Sequence, residues 1–288
     1  MKIRVYSDIH LDWYAVNFNQ TRLYDPANPF KMSSLFWYPP ELPDDKETTL
    51  ILAGDLWIGH KWIEWAGYSW IKDVSERFER VIVIAGNHDY WPEGKCSIMN
   101  WADKGRMYLQ DMNLLNVHIL DASSLAVDDY IFVGATLWTD MFKCSPFAMM
   151  NLNKIMAYDG KINYEFVGDY RTIFTSQKWV ELHYKHKRYI EIVAKNNPDK
   201  KIIVITHHVP LTTLIDPSYQ GDESNAYYVS DLSDLILDND NIKMWCYGHT
   251  HYQHDGMFGT CRLVNNAVGY SGEHFEQQNR VKHEVIEL

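Results

Sequence analysis

The sequence predicts an α/β fold in which two β-sheets pack together with helices around them, and three observations carry that expectation. Five β-type runs each end in a polar turn: Lys2 to Tyr6, Thr49 to Ala53, Val81 to Ala85, Lys201 to Ile205 and Lys243 to Tyr247. Continuous runs of this kind suit strands buried on both faces. Helical spacing fills the chain between several of them, and after Asp89 further strand signal implies a second sheet packed on the first.

Taken in order, Lys2 to Tyr6 stops at Ser7-Asp8-Ile9-His10. Residues 14–47, with Pro26, Pro29, Pro39, Pro40 and Pro43, lack periodicity and read as a surface loop. Thr49 to Ala53 leads to Gly54-Asp55. Ile63, Ala66, Trp70, Val74 and Phe78 keep a spacing of three or four, which predicts a helix, and Val81 to Ala85 then leads to Gly86-Asn87-His88-Asp89. Asn116 to Leu120 and Tyr130 to Leu137 look like neighbouring strands joined through Asp128-Asp129. Residues 141–172, rich in Met, Asn and Tyr, read as a second irregular stretch, and long segments of this sort often cover sites. Trp179, Leu182, His186, Ile190 and Val193 predict a helix behind a Ser176 cap. Lys201 to Ile205 leads to Thr206-His207-His208, and Lys243 to Tyr247 to Gly248-His249-Thr250-His251. His254 to Val268 and Lys282 to Leu288 add strand. In open α/β sheets ligands bind outside the carboxyl ends of the strands, which is where each of these polar turns falls.

A chain of 288 residues with 46% hydrophobic and 14% aromatic content can bury a substantial core. One domain over residues 1–288 is expected, with the irregular stretches at 14–47 and 141–172 as insertions placed to cover the site. Met1 to Tyr6 runs directly into motif residues without the apolar stretch of a secretory signal. No apolar run reaches the roughly 20 residues that span a bilayer. The expected location is therefore cytoplasmic, with no membrane partner. Cys96, Cys144, Cys246 and Cys261 show neither CxxC spacing nor the density of a disulfide scaffold and read as free thiols. The net charge of −11 argues against duplex nucleic acid as a partner, because that partner requires a basic surface.

Singly, an Asp-x-His, a Gly-Asp turn or a strand-end His is common and usually structural. Together, the five strand ends supply Asp8 and His10, Asp55, Asn87 and His88, His207, and His249 and His251. Burying so many polar groups in one place is costly unless they are paired or coordinated. Imidazole, carboxylate and amide donors without thiolate suit Mn, Fe, Zn, Co or Ni in preference to the all-oxygen cage of Ca or Mg. Asp8, His10, Asp55, Asn87, His207, His249 and His251 are too many ligands for one such ion. Two ions about 3.5 to 4 Å apart, sharing a carboxylate, would use them all and clamp both oxygens of an in-line displacement. Phosphoester hydrolysis is the reaction that such a centre fits. His208 rivals His207 as a ligand, and His207 is favoured because it follows directly on the buried strand.

The blocks Asp8-x-His10, Gly54-Asp55, Gly86-Asn87-His88-Asp89, a strand-terminal His207 and Gly248-His249-x-His251 occur in that order and span nearly the whole chain. As a set they resemble the signature of the calcineurin-like metallophosphoesterases. The resemblance implies a four-layer αββα sandwich, two mixed β-sheets flanked by helices. It implies that Asp8, His10 and His251 hold one cation and Asn87, His207 and His249 the other, with Asp55 bridging them. A metal-bridging hydroxide would then attack phosphorus, since two Lewis acids lower the pKa of bound water. By the same resemblance His88 faces the substrate and assists the leaving oxygen, with Asp89 as the group that could orient it. Manganese is the ion expected to support activity in vitro. The chain departs from the protein Ser/Thr phosphatase branch: Leu56-Trp57-Ile58-Gly59 follows Gly54-Asp55 where that branch has an Asp and an Arg, and Asp89 stands where it has Glu. A protein phosphatase role is not expected.

A looser resemblance, through Gly134-Ala135-Thr136-Leu137-Trp138-Thr139-Asp140, Gly168-Asp169-Tyr170-Arg171 and Thr206-His207-His208-Val209-Pro210, is to bacterial and phage phosphohydrolases of largely unassigned substrate. Arg171 offers a bidentate phosphate contact, and Trp138, Tyr170 or Trp57 a face on which a base could stack. The alternatives are a solvated arginine and core aromatics. His60 and Asp12 lie just beyond ligand turns, either within hydrogen-bond reach of a ligand or on the surface. The expected function is hydrolysis of a small phosphodiester or phosphomonoester, a nucleotide or cyclic nucleotide among the candidates. Two other classes compete: a metal-dependent nuclease on single-stranded or structured nucleic acid, against which the acidic balance counts, and a catalytically silent binding module on the same scaffold, against which the intact ligand set counts.

Overall fold

The apolar runs form two stacked sheets. The computed structural model describes residues 1–12, 36–59, 63, 65–90, 100–158, 164–167, 170–173, 175–270 and 281–288. In the first sheet β1 (Lys2–Tyr6), β2 (Thr48–Ala53), β3 (Arg80–Ile84) and β4 (Val117–Ile119) run parallel, with Val5 opposite Ile51 and Ile51 opposite Ile82. The last strand of the chain, β13 (Ile286–Glu287), adds antiparallel to the free edge of β1. In the second sheet β12 (Cys261–Asn265), β10 (Ile242–Tyr247), β9 (Lys201–Thr206) and β6 (Tyr130–Ala135) are parallel, and the antiparallel strands β11 (His254–Phe258) and β5 (Ser123–Val127) form its edges.

Alternation along each strand sends successive side chains to opposite faces and so builds the layers. Ile3, Val5, Ile51, Ile82 and Ile84 of the first sheet meet Phe132, Ile203, Ile205, Met244 and Cys246 of the second in a central apolar layer. The other face of the first sheet, with Leu50, Leu52, Val81 and Val83, is covered by Trp70, Ile71 and Val74 of α1 (Trp65–Arg77) and by Trp101 and Leu109 of α2 (Trp101–Asp111). The other face of the second, with Ile202, Val204 and Trp245, is covered by Ile190 and Val193 from a helix over Ser176–Asn196 and by Leu235 and Ile236 from a short one over Ser233–Leu237. The order helix, sheet, sheet, helix is the expected αββα sandwich.

Three expectations need correction. Asn116 to Leu120 and Tyr130 to Leu137 are not neighbours: β4 lies beside β3 in the first sheet, and β6 forms a hairpin with β5 in the second. Asp128-Asp129 is the turn of that hairpin, with Asp128 at φ 54°. Residues 141–172 are not irregular throughout. They contain a left-handed turn at Met141–Cys144, the helix α3 (Pro146–Tyr158) and a hairpin of β7 (Tyr164–Val167) with β8 (Tyr170–Ile173). The long helix, α4 (Ser176–Asn196), is capped by Thr175, whose hydroxyl accepts from the Lys178 N–H at 3.2 Å, and Ser176 is its first residue. The short one is α5 (Ser233–Leu237). Of the stretch at 14–47, residues 14–35 lie outside the described residues. Among the described residues no helix is long and apolar enough to cross a membrane. Cys144, Cys246 and Cys261 are free thiols, and Cys96 lies outside the described residues.

The proline-rich segment is pinned by a buried ion network. Arg4, in the middle of β1 and 1% exposed, donates to the Asp45 carboxylate at 2.6 Å, to the Pro40 carbonyl at 2.9 Å and to the Tyr6 hydroxyl at 2.7 Å. Arg77 at the end of α1 donates to the other oxygen of Asp45 at 2.7 Å. Removing one partner of a buried pair leaves an uncompensated charge, so Asp45→Ala should lower unfolding stability in urea by about 3 kcal/mol. A loss below about 1 kcal/mol would show that both arginines are solvated in the folded protein.

Candidate metal centre

The turns that carry the polar residues are bent in a way side chains usually resist. Asp8 (φ 52°), His10 (φ 48°), Asp55 (φ 53°), His249 (φ 73°) and His251 (φ 51°) all occupy the left-handed region. Such residues cost of order 1–3 kcal/mol each and persist only where their surroundings over-determine them. Here the main chain does so: Asp8 N–H donates to the Gly54 carbonyl, His10 N–H to that of Asp55, and Leu11 N–H to that of Leu56, each at 3.0 Å. The His249 N–H donates to both oxygens of Asp8 at 3.0 and 3.1 Å, and the His88 N–H to Asp55 Oδ1 at 2.9 Å. Glycine is required beside these carboxylates. A Cβ on Gly86 would lie 2.1 Å from Asp55 Oδ1, and one on Gly248 would lie 2.5 Å from Asp8 Oδ2.

The side chains converge around Asp55. His207 Nε2 is 3.2 Å from Asp55 Oδ2 and 3.0 Å from Asn87 Oδ1, while its Nδ1 lies 3.0 Å from the Ala53 carbonyl, which ties the second sheet to the first. His10 Nε2 and His88 Nε2 are each 3.9 Å from Asp55 Oδ2. His10 Nε2 is also 3.3 Å from His251 Nε2, which in turn is 3.4 Å from Asp8 Oδ1. Asp8, His10 and His251 form one group whose ligand atoms lie within 4.8 Å of one another, and Asp55, His207 and His249 form a second. Asp55 with His10 and His88 forms a third, so Asp55 belongs to two of the three groups.

The electrostatics match a cation-binding role. Burial holds His10 down at about 3 and pushes His88 and His249 below the ordinary histidine value, which keeps these imidazoles neutral with a lone pair to offer. Burial would lower His207 too, but the carboxylates of Asp55 and then Asp8 raise it to about 9. A proton is favoured on His207 because the pocket wants positive charge. Burial acts to raise Asp8 and Asp55, yet His251 holds Asp8, and His207 holds Asp55, below the usual carboxylate range. Deprotonated carboxylates and neutral imidazoles are the forms that bind divalent metals; Asp8, Asp55, His10 and His249 are held in those forms, and a cation would take the place of the His207 proton, so the donor set fits divalent cations.

Asp89 serves differently from the expectation that it orients His88. Its Oδ2 accepts the Gly86 N–H at 2.7 Å and the Asp55 N–H at 2.9 Å, so it clamps the second turn to the third. His208 belongs to none of these groups: its Nδ1 is 3.1 Å from the Thr136 carbonyl, and its ring packs on Trp138, on Trp179 and, at 4.4 Å, on His249. Trp138 is fully buried, stacked with Tyr90 at 5.7 Å, and is a core aromatic with no face open to a base. Trp57, 5% exposed, packs edge-on against Phe36 and is likewise core. Tyr170 and Arg171 lie in β8, but their side chains are outside the described residues, as is His60. Asp12 is half-buried two residues past His10.

Two residues at the site were not singled out in the sequence. Tyr228 stacks on His249 with ring centres 4.6 Å apart. Tyr270 covers His10 at 4.2 Å and brings its hydroxyl to 3.4 Å from His88 Nε2. The available signal was positional: β12 is parallel to β10, so the chain leaving it emerges at the same edge as the other turns.

The model of the calcineurin-like phosphoesterases matches residues 1–253 of this chain. The chain belongs to that family. As a calcineurin-like phosphoesterase it is a hydrolase of phosphoric esters, from a family that uses a dinuclear metal centre. An uncharacterised protein of Acanthamoeba polyphaga mimivirus is 27% identical over 210 residues, 69% of this chain and 71% of that protein. The crystal structure of phosphopantetheinyl hydrolase from Mycobacterium tuberculosis superposes with a TM-score of 0.63 at 16% identity, over 96% of this chain and 94% of that one. That likeness is one of fold.

The close approach at Gly86 gives a direct test of this phosphoesterase's ligand cage. Gly86→Ala should displace the Asp55 carboxylate and cut bound metal at least about tenfold, with the circular dichroism of the fold retained, since the clash is local. Undiminished metal content would show that Asp55 is not held where the cage needs it.

Proposed function

We propose that this phosphoesterase hydrolyses a small phosphodiester or phosphomonoester, a nucleotide or cyclic nucleotide among the candidates, at two divalent cations held by its strand-end turns. The observation that supports this most is the position of Asp55, whose buried Oδ2 lies 3.2 Å from His207 Nε2 and 3.9 Å from His10 Nε2. In this proposal Asp8, His10 and His251 hold one cation, Asn87, His207 and His249 the other, and Asp55 bridges them. Bound there, the cations would supply Lewis acidity and a water of lowered pKa. Manganese is the proposed activating ion, and the cytoplasm the proposed compartment.

The protein's own part is positioning. The bond from the His249 N–H to Asp8 and the one from the His88 N–H to Asp55 aim each carboxylate before any ligand arrives, which is the preorganisation that makes electrostatic catalysis effective. The contact of His207 Nδ1 with the Ala53 carbonyl leaves Nε2 turned to the centre. His88 is 9% exposed with its Nε2 3.9 Å from Asp55 Oδ2, and in this proposal it assists the departing oxygen. The net charge of −11 favours a small anionic ester drawn in by bound cations over a duplex.

Asp55→Asn and His249→Ala should each lower metal content, read by elemental analysis, and abolish hydrolysis. His88→Ala should keep its metal and lose about 10²–10⁴-fold in turnover. Equal metal loss in all three variants would remove the separate role of His88. Side-by-side turnover of bis(p-nitrophenyl) phosphate and p-nitrophenyl phosphate with added manganese decides between ester classes, since a monoesterase leaves the diester nearly untouched. A protein that holds two equivalents of metal yet hydrolyses nothing across a broad phosphoester panel would contradict the proposal.

A further inference from the structure

We propose that Tyr270 is a positioning residue that holds His88 in its working orientation; this rests on the hydrolytic role given to His88 above. The placement of Tyr270 is built into the fold. Past the end of β12, Ala267 bridges to Ser7 in parallel, the Val268 N–H donates to the Ser7 carbonyl at 3.0 Å and the Gly269 N–H to the Asp8 carbonyl at 2.9 Å. This segment therefore runs as an extra strand along the first ligand turn. Gly269, at φ 79°, then turns the chain in a conformation that other residues resist, and the turn delivers the Tyr270 ring over the site. The ring lies at 4.2 Å and 32° on His10, stands edge-on to His251 at 5.0 Å, and carries its hydroxyl to 3.4 Å from His88 Nε2.

Asp89 does not fix His88: its Oδ2 accepts two main-chain N–H groups, and its Oδ1 makes no hydrogen bond among the described residues. The phenol is a donor and an acceptor, so it can pair with either tautomer of the imidazole. In both cases it sets the rotation of the ring and keeps Nε2 turned to the centre until substrate binds, when the departing oxygen replaces the phenol as the partner of Nε2 and takes its proton. A tyrosine that served packing alone would need only its ring, which already covers His10. The hydroxyl is the part that reaches His88, and Tyr270→Phe removes it while leaving the ring.

In zinc-loaded protein labelled with ¹⁵N at histidine, Tyr270→Phe should move the His88 Nε2 resonance and leave both metals bound. Its kcat on an alkyl phosphoester, whose departing oxygen must be protonated, should fall about tenfold, and on a p-nitrophenyl ester less than about threefold, with KM nearly unchanged on both. In a His88→Ala background the same substitution should add nothing further, because it acts through the missing ring. An unmoved His88 resonance overturns the proposal. So does a loss that is equal on both esters and additive with His88→Ala, which would mark a packing role. Should the wild-type enzyme hydrolyse no ester at all, the hydrolytic role would fall, and the resonance would still decide whether Tyr270 holds His88.

Discussion

Two carboxylates, Asp8 and Asp55, are buried together at 0% and 2% exposure beneath a ring of imidazoles, and the rest of the molecule is arranged around that fact. Buried anions in close company are tolerated only with compensating positive charge and donors. The protein supplies donors from its main chain and lifts His207 to about 9. His10, His88 and His249 are held neutral by burial, so most of the local positive charge is left for bound cations to provide.

The two-sheet architecture follows from the same requirement. Candidate ligands from β1, β2 and β3 meet those from β9 and β10 because parallel strands in both sheets end at one edge, and the apolar layer of Ile3, Ile51, Ile82, Ile203 and Met244 fixes the spacing between them. The left-handed backbone of Asp8, His10, Asp55, His249 and His251 is strain held in place by that frame. Glycines at 54, 86 and 248 let the turns close to distances that a side chain would forbid.

Much of this was legible in the sequence, and the reasons are specific. Buried parallel strands announce themselves as unbroken β-branched runs, and a polar turn after each is hard to mistake when it repeats five times. The polar turns that the fold brings together were therefore visible before any fold was known. The β5 strand was not, because Ser123-Ser124-Leu125-Ala126-Val127 is a half-exposed edge with weak alternation. Nor was α3, whose Met-rich sequence is apolar on too many sides to show a stripe. Trp138 shared a polar neighbourhood with site residues yet is fully buried in the core, since its place depends on packing with Tyr90 and Trp179 that sequence spacing does not encode. Tyr270 went unmarked because its reach to His88 comes from a single glycine turn after β12.

The convergence of scattered side chains on two shared cations is tested most directly by anomalous diffraction from crystals grown with manganese. Two peaks are predicted, about 3.5 to 4 Å apart, one beside Asp8, His10 and His251, the other beside Asn87, His207 and His249, with Asp55 between them. A single peak, or two peaks that do not both touch Asp55, would contradict the account.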